Sequence, residues 1–322
     1  TLRHLFTVSG DGMLGLATAY MLIKTGQFDI VVVEAHSKAS DILTYMDIVA
    51  FGLDPIFNRP LGGHPYYLAG MEMNRYMYDT RTTVEQCAQV VVKNKKNAIL
   101  NPYAAYGADI TLDQVLCSDM CFYPLKKLEI STPADGCIVM VLASEHVAEK
   151  LTDKHVWVRG VGWCTETPSL ETRDWSKAVY TRLAAEMAYK QAKITTWKEI
   201  DFAEIHDLFA YKELQHMEAL KLCDYGDAGK LAEAGLTALN GELPVNPSGG
   251  LLGMGYGLEA SGLQKVLEAV LQLRGEAGQR QVQDAEVGLV HSWRGIPTAT
   301  GVVAVLSSVR CCLLYTSDAA DE

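Results

Sequence analysis

The sequence predicts an α/β fold, and three features indicate this class. Apolar runs of strand length alternate with helical patterns, as at 5–9, 14–25 and 30–33. Some of these runs are apolar throughout, which is typical of strands buried on both faces of a sheet. One succession of elements also occurs twice along the chain, which indicates two similar halves.

Composition restricts the functional class. The chain has 322 residues, 49% of them hydrophobic and 21% charged, with a mean hydropathy of +0.05; this excludes disorder as the dominant state and allows two packed halves. The longest apolar runs, such as 30–33 and 301–306, are far shorter than the roughly 20 residues of a membrane span. A net charge of −11 without a large basic cluster argues against a nucleic-acid partner. The eight cysteines form no CxxC pair and have no histidine at zinc spacing, so we expect free thiols, no metal site and a cytoplasmic protein.

The two ends of the sequence differ from an ordinary chain. The first residue is not Met, and the chain begins directly before the predicted strand 5–9. The segment 312–322 (CLLYTSDAADE) resembles a sequencing-library adapter translated in frame. We therefore expect a fragment of a longer protein and exclude 312–322 from the fold.

The elements are expected in the following order. A strand at 5–9, a glycine-rich turn at 10–15, a helix at 14–25 ended by Gly26, and a strand at 30–33 form the first unit. The less regular region of about 37–133 predicts an excursion that covers a ligand, with helices at 65–80 and 83–94. Further strands are expected at 138–143, 155–164, 200–204 and 287–290, and further helices at 175–192, from about 210 to 222 and at 261–273.

The glycine turn of the first unit fits a dinucleotide-binding fingerprint. Gly10-x-Gly12-x-x-Gly15 follows a predicted strand and opens a helix, and Glu34 ends the next strand. This arrangement would place a pyrophosphate at the helix N-terminus and an acid on a ribose hydroxyl, as in oxidoreductases that bind FAD or NAD. The alternative is that these glycines only let the helix start close to its strand.

Five segments resemble the thiolase superfamily, in particular the sterol-carrier-protein-type thiolases and the acetyl-CoA acetyltransferases. They occur in the expected order at 9–20, at 101–136 with 141–145, at 204–220, at 246–250 (NPSGG) and at 255–262 (GYGLEASG). The resemblance implies a layered αβαβα fold of two duplicated halves. The N-terminal half, truncated at its start, would be 1–150 with the covering region at about 37–133, and the C-terminal half would be 151–311.

The resemblance also implies a function in lipid metabolism. The substrate would be an acyl-CoA, and the reaction would form or break a carbon–carbon bond beside the thioester carbonyl, as in acyltransferases of this superfamily. No tightly bound cofactor is expected. Members of this type form dimers and work beside a small zinc-ribbon/OB-fold acyl-CoA-binding protein, so a homodimer and such a partner are expected here.

Three site residues carry over from the superfamily's motifs, and two of them are unusual. Ser9 falls at the position of the nucleophilic cysteine, and Tyr256 falls at the position of the histidine of the GHP motif. His206, in the segment HDLF, matches the histidine that helps to bind the thioester oxygen. Each residue also has a structural alternative. Ser9 would be a turn or helix-cap residue, His206 a buried core histidine whose ring is hydrogen-bonded within the protein, and Tyr256 a spacer in a degenerate site. Asp207 is expected to cap the helix that follows.

Further candidates are weaker. His291 lies near the superfamily's last catalytic position and is either an acid/base or a residue at a strand end. The glycines Gly249, Gly250, Gly253 and Gly255 would let the backbone approach the CoA arm, or serve loop geometry alone.

Two mechanisms stay open at this point. In one, Ser9 is acylated with help from His206. In the other, which we favour, a β-hydroxyacyl-CoA undergoes retro-aldol cleavage in which Tyr256 takes the hydroxyl proton and His206 stabilises the enolate. The alternatives from other functional classes are a dinucleotide-dependent oxidoreductase and a non-catalytic subunit with a thiolase fold.

Overall fold

The computed structural model describes residues 4–167, 169–295 and 299–310, so the expected adapter segment lies outside the described residues. The helices are α1 (Gly12–Lys24), α2 (Tyr45–Ala50), α3 (Pro65–Thr80), α4 (Val84–Ile99), α5 (Leu112–Leu116), α6 (Glu145–Leu151), α7 (Val179–Ala192), α8 (Ala210–Ala219), α9 (Ala228–Glu233), α10 (Gly250–Met254) and α11 (Ser261–Leu273). The strands are β1 (Ile30–Lys38), β2 (Met120–Phe122), β3 (Leu125–Lys126), β4 (Asp135–Ala143), β5 (Trp157–Thr165), β6 (Phe202–Glu204), β7 (Val287–Arg294) and β8 (Thr300–Ser307).

A mixed four-stranded sheet forms the centre of the C-terminal part. Its strand order is β5–β8–β7–β6, with β6 parallel to β7 and the other neighbours antiparallel. Strands β1 and β4 form a separate antiparallel pair, and β2 and β3 form a short hairpin. The α/β class is therefore confirmed, and most of the strand pairing is antiparallel.

The four-stranded sheet lies between two layers because alternate side chains of its strands point to opposite faces. On β7, Leu289 and Trp293 belong to a core shared with α3, α4, α7 and α8. Val290, between them, belongs to a second core shared with α1, α11, β1 and β4. Burial of each such side chain contributes roughly 1.5–3 kcal/mol, so both faces hold the sheet in place.

Helix α7 packs unusually closely on β5. A Cβ added at Gly160 or Gly162 would lie 2.2 or 2.0 Å from a carbonyl oxygen of α7, that of Ala188 or Ala184 respectively. Glycine on the strand and alanine on the helix therefore let the two backbones approach.

The repeated unit corresponds to two helices that pack against each other. Helix α1 precedes β1 and helix α11 precedes β7, and both helices contribute to the second core. Gly12 of α1 lies against Leu263 of α11, since a Cβ at Gly12 would be 2.8 Å from the Leu263 Cγ. The repeat seen in the sequence thus pairs corresponding elements in space.

The expected strand at 5–9 is wrong. Residues 4–9 are exposed and take part in no strand pairing with the described residues. An apolar, β-branched run forms a strand only when a neighbouring strand accepts its hydrogen bonds.

No helix within the described ranges is long and apolar enough to cross a membrane.

Candidate active site

The candidate site lies at the edge of the sheet where β6 and β7 end. Because these strands are parallel neighbours, their carboxyl ends meet at one edge. His206 follows the end of β6 by two positions, and its ring centroid lies 6.0 Å from that of Tyr256 and 5.7 Å from that of Trp293 on β7. The fold therefore brings together His206 and Tyr256, two of the residues expected to be catalytic.

The His206 ring is buried but not hydrogen-bonded. Its exposed fraction is 1%, and neither ring nitrogen has a hydrogen-bond partner among the described residues. Burial lowers the pKa of His206 well below 6.5, and the positive charge of Lys265 lowers it further. The ring is therefore a neutral imidazole with one N–H donor and one free acceptor. Because an unpaired buried polar group costs stability, this ring is suited to pair with a polar group of a ligand.

Tyr256 is held by the covering region. Its amide donates to the Thr132 carbonyl at 2.8 Å, and its carbonyl accepts from the Ala134 amide at 2.9 Å. Burial raises the pKa of the Tyr256 phenol well above 10. The phenol is thus protonated near neutral pH and donates hydrogen bonds; it can take up a proton only if another group accepts its own.

Two neighbours of Tyr256 escaped the sequence analysis. The ring centroid of Tyr45, the first residue of α2, lies 6.3 Å from that of Tyr256, and each phenol affects the pKa of the other. The positive charge of Arg294 lowers the pKa of both phenols against the larger opposing effect of burial. Arg294 is itself paired with Glu259 at 2.5 Å. Arg294 ends β7 but lies four residues beyond the predicted strand 287–290, and nothing in the irregular region marked Tyr45.

Ser9 lies two residues before Asp11 and is exposed to solvent. The alternative that Ser9 caps the helix is wrong, because the N-cap of α1 is Asp11. The Asp11 carboxylate accepts from the Met13 amide at 2.9 Å and from the Gly262 amide at 3.1 Å. It therefore joins the first turns of α1 and α11.

The same loop explains the glycine fingerprint without a dinucleotide. The Asp11 carboxylate already occupies the N-terminus of α1, where a pyrophosphate would bind. A Cβ at Gly12 would lie 3.0 Å from the Ala35 Cβ, and one at Gly15 would lie 2.9 Å from a Val33 methyl. Close packing of α1 on β1 accounts for these glycines.

Asp11 should make stability depend on pH. Burial raises its pKa from 3.8 to about 6, although the hydrogen bonds from the Met13 and Gly262 amides oppose the shift. A carboxyl with a raised folded-state pKa stabilises the fold below its unfolded pKa, and this stabilisation is lost as pH rises through about 6. The loss between pH 4.5 and pH 7 is about 2 kcal/mol.

Asp11→Asn removes this titration. The free energy of unfolding of the variant minus that of the unchanged chain is therefore expected to be about 2 kcal/mol higher at pH 7 than at pH 4.5. Urea unfolding of both proteins at the two pH values measures it. An equal difference at both pH values would contradict the assignment.

The NPSGG segment at 246–250 is a scaffold for the site. The Ser248 amide and hydroxyl donate to the Glu204 carboxylate at 2.9 and 2.7 Å. The Asp207 carboxylate accepts from the Leu251 amide at 2.6 Å and so caps α10. The expectation that Asp207 caps the next helix is therefore wrong; α8 begins without a side-chain cap. Residues on both sides of His206 thus hold the loop that leads to Tyr256.

Beneath this loop lies a buried charged cluster. Glu213 of α8 pairs with Lys93 of α4 at 2.9 Å and accepts from Asn246 at 2.6 Å and from Asn94 at 2.7 Å. Each of these four side chains is buried. The Glu213 carboxylate thus connects α4, α8 and the NPSGG loop.

The four glycines expected at the CoA arm are buried against protein atoms. A Cβ at Gly249 or Gly253 would meet Ala98, and one at Gly250 would meet the Asp207 carboxylate. A Cβ at Gly255 would lie 2.5 Å from the Ala134 Cβ. These contacts explain the glycines by close packing; a role in binding CoA stays a prediction.

His291 lies on the face of the sheet that packs against α7 and α8. Its Nε2 lies 3.0 Å from the Thr181 Oγ, and its ring centroid lies 4.4 Å from that of His216. On β7 it shares a face with Trp293, whereas Ser292 between them lies against Asp11. Its role as an acid/base stays a prediction. The described ranges contain no group of three or more His, Cys, Asp or Glu side chains that could hold a metal ion.

Comparison with known proteins gives a consistent result. The family model for thiolase C-terminal domain-like proteins matches residues 163–308. The acetyl-CoA acetyltransferase of Methanothermobacter thermautotrophicus is 36% identical over 286 residues, which cover 88% of this chain and 74% of the relative. Sterol carrier protein 2 of Bos taurus is 34% identical over 270 residues, 81% of this chain; the match spans about half (48%) of that longer relative.

The fold is also found among solved structures. The structure described as the Ltp2-ChsH2(DUF35) aldolase superposes with a TM-score of 0.81, covering 93% of this chain and 78% of that chain at 24% identity. At this identity the likeness concerns the fold. It confirms the expected layered α/β architecture.

Proposed function

The chain belongs to the thiolase superfamily, and on that premise we propose that it is an enzyme that makes or breaks a carbon–carbon bond beside the carbonyl of an acyl-CoA. An acetyl-CoA acetyltransferase is among its relatives, and the chain covers 74% of that relative. The observation that carries the proposal is the His206 ring, which is buried, neutral and unpaired at both nitrogens among the described residues. Its N–H is suited to bind the thioester oxygen as negative charge develops there.

Between the two mechanisms, retro-aldol cleavage of a β-hydroxyacyl-CoA is better supported than acylation of Ser9. Ser9 is exposed, and its hydroxyl has no hydrogen bond to a base among the described residues. A serine hydroxyl without such a base is a weak nucleophile. A protein of the same fold is described as an aldolase, which agrees with this choice.

The proposed cleavage proceeds as follows. A base removes the proton of the β-hydroxyl, the Cα–Cβ bond breaks, and the β-carbon leaves as an aldehyde or ketone. The electron pair of the broken bond moves into the thioester to form an enolate, whose oxygen accepts a hydrogen bond from His206. Water then donates a proton to the enolate carbon, which gives the shortened acyl-CoA, and the proton taken from the β-hydroxyl passes from the base to the hydroxide that remains.

Tyr256 is proposed to meet the substrate hydroxyl. Because burial keeps its phenol protonated, Tyr256 must pass its own proton on as it takes that of the substrate. Asp11, whose negative charge acts on Tyr256 and whose pKa is about 6, is the proposed final acceptor. Tyr45, half-buried against Tyr256, is proposed to contact the ligand from the covering side.

A second protein component is part of the proposal. The aldolase of the same fold is described together with a DUF35 component. We propose an acyl-CoA-binding partner of the small zinc-ribbon/OB-fold kind for this chain. Homodimer formation and a cytoplasmic location stay predictions.

The test compares two hydroxyl deletions on a panel of 3-hydroxyacyl-CoA thioesters of graded chain length. Tyr256→Phe is expected to lower the rate of shortened acyl-CoA release at least about 100-fold, because a general acid/base group is lost. Ser9→Ala, the matched control, is expected to stay within about twofold. Chromatography with mass detection of the CoA products measures both.

The opposite pattern would overturn the retro-aldol mechanism. If Ser9→Ala abolished turnover and an acyl adduct appeared on Ser9 in the intact protein, acyl transfer through serine would be the mechanism. If the unchanged chain bound acyl-CoA without turning over any thioester, it would be a non-catalytic subunit.

A further inference from the structure

A continuous chain of buried polar groups leads from the covering region to the backbone of His206. Glu72 of α3 pairs with Lys212 of α8 at 2.8 Å. The Lys212 Nζ lies 3.2 Å from the Tyr180 hydroxyl, and that hydroxyl lies 3.1 Å from the His216 Nε2. The His216 Nδ1 lies 3.0 Å from the His206 carbonyl oxygen. All of these residues are buried.

The partners fix the direction of every hydrogen bond in this chain. A carbonyl oxygen only accepts, so His216 Nδ1 must carry a proton and donate to His206. A neutral His216 then has a bare Nε2, which accepts from the Tyr180 hydroxyl. The Tyr180 oxygen in turn accepts from the Lys212 ammonium, which cannot accept at all.

The surroundings keep His216 neutral, as this arrangement requires. Burial lowers the pKa of His216 well below 6.5, and the positive charge of Lys212 lowers it further. The Lys212 ammonium is held by the Glu72 carboxylate and by the Gln215 Oε1 at 2.7 Å. The Tyr211 hydroxyl donates to the other oxygen of Glu72 at 2.7 Å. Each group in the network thus has a charge state and a partner that agree with its neighbours.

We infer that Tyr180 and His216 are positioning residues that orient the His206 imidazole toward the ligand through its own carbonyl group. The inference rests on the proposed role of His206. His206 has no hydrogen bond at its ring among the described residues, so the position of the ring depends on its backbone and on packing against Trp293 and Tyr256. The hydrogen bond from His216 is therefore the polar restraint closest to the reacting group.

The experiment uses two tyrosine hydroxyls on the same helix. Tyr180→Phe deletes the donor to His216, whereas Tyr189→Phe deletes a hydroxyl that donates to the Leu220 carbonyl at 2.7 Å and lies outside the network. Tyr180→Phe is expected to lower kcat about tenfold with little change in KM, and Tyr189→Phe is expected to leave both within about twofold. Thermal melts of the two variants show that both remain folded.

Nuclear magnetic resonance of ring-labelled histidines provides a readout that does not need turnover. In the unchanged chain His216 is expected as the Nδ1–H tautomer, and the His206 ring signals are expected to move in Tyr180→Phe but not in Tyr189→Phe. An Nε2–H tautomer at His216, or His206 signals that do not respond to Tyr180→Phe, would overturn the inference. If the unchanged protein turned over no acyl-CoA but showed the expected histidine signals, the proposed function would be overturned. The hydrogen-bonded network from Glu72 to His206 would then still stand.

Discussion

Replacing His206 with alanine is expected to lower kcat about 10²–10³-fold while the fold and KM change little. The reason is that the N–H of this ring stabilises charge that develops only in the transition state. His206→Asn should recover part of the loss, because its amide can also donate a hydrogen bond. Steady-state kinetics on the best 3-hydroxyacyl-CoA measure both variants.

His36 provides the control for this prediction. It is an exposed histidine on β1, paired with Glu34 at 2.7 Å, and His36→Ala should leave kcat unchanged. If His206→Ala retained the full rate, His206 would be a core histidine and the assignment of the site would be wrong.

Replacing Glu213 with glutamine is expected to lower the free energy of unfolding by about 3–5 kcal/mol. The change leaves the buried Lys93 ammonium without its carboxylate partner. Asn246 and Asn94 would then donate their hydrogen bonds to a neutral amide oxygen instead of a carboxylate. Urea unfolding followed by circular dichroism measures the loss.

A surface ion pair provides the comparison. Glu186→Gln removes a carboxylate that pairs with Arg182 at 2.8 Å on the exposed side of α7, and it should cost less than about 1 kcal/mol. Equal losses in the two variants would mean that the cluster under the NPSGG loop is no more important than a solvated ion pair.

The sequence predicted much of the fold because local signals agree with the tertiary structure. Helix α3 has the bounds 65–80 that its pattern indicates; Pro65 stands in its first turn, and the His64 side chain caps it. Strand β8 at Thr300–Ser307 was recognised only as an apolar run. The predicted strand at 5–9 is absent because a strand depends on a pairing partner that the local sequence does not specify.

The site was predictable only where a motif marked it. His206 and Tyr256 lie in segments that resemble the superfamily, and they do come together. Tyr45 lies far from Tyr256 in sequence and meets it only through the folding of the covering region. Asp11 was visible only as part of a glycine turn, and its raised pKa is a consequence of burial between two helices.

The central claim is that this chain binds acyl-CoA at the His206–Tyr256 edge of the sheet. The most direct measurement is the thermal unfolding of the full chain with a panel of acyl-CoA thioesters beside FAD and NAD. A ligand at 100 times its dissociation constant stabilises the fold by roughly 2.7 kcal/mol, which moves the unfolding midpoint by several degrees. We predict that acyl-CoA raises the unfolding midpoint and that FAD and NAD leave it unchanged. A shift with a dinucleotide alone would contradict the claim.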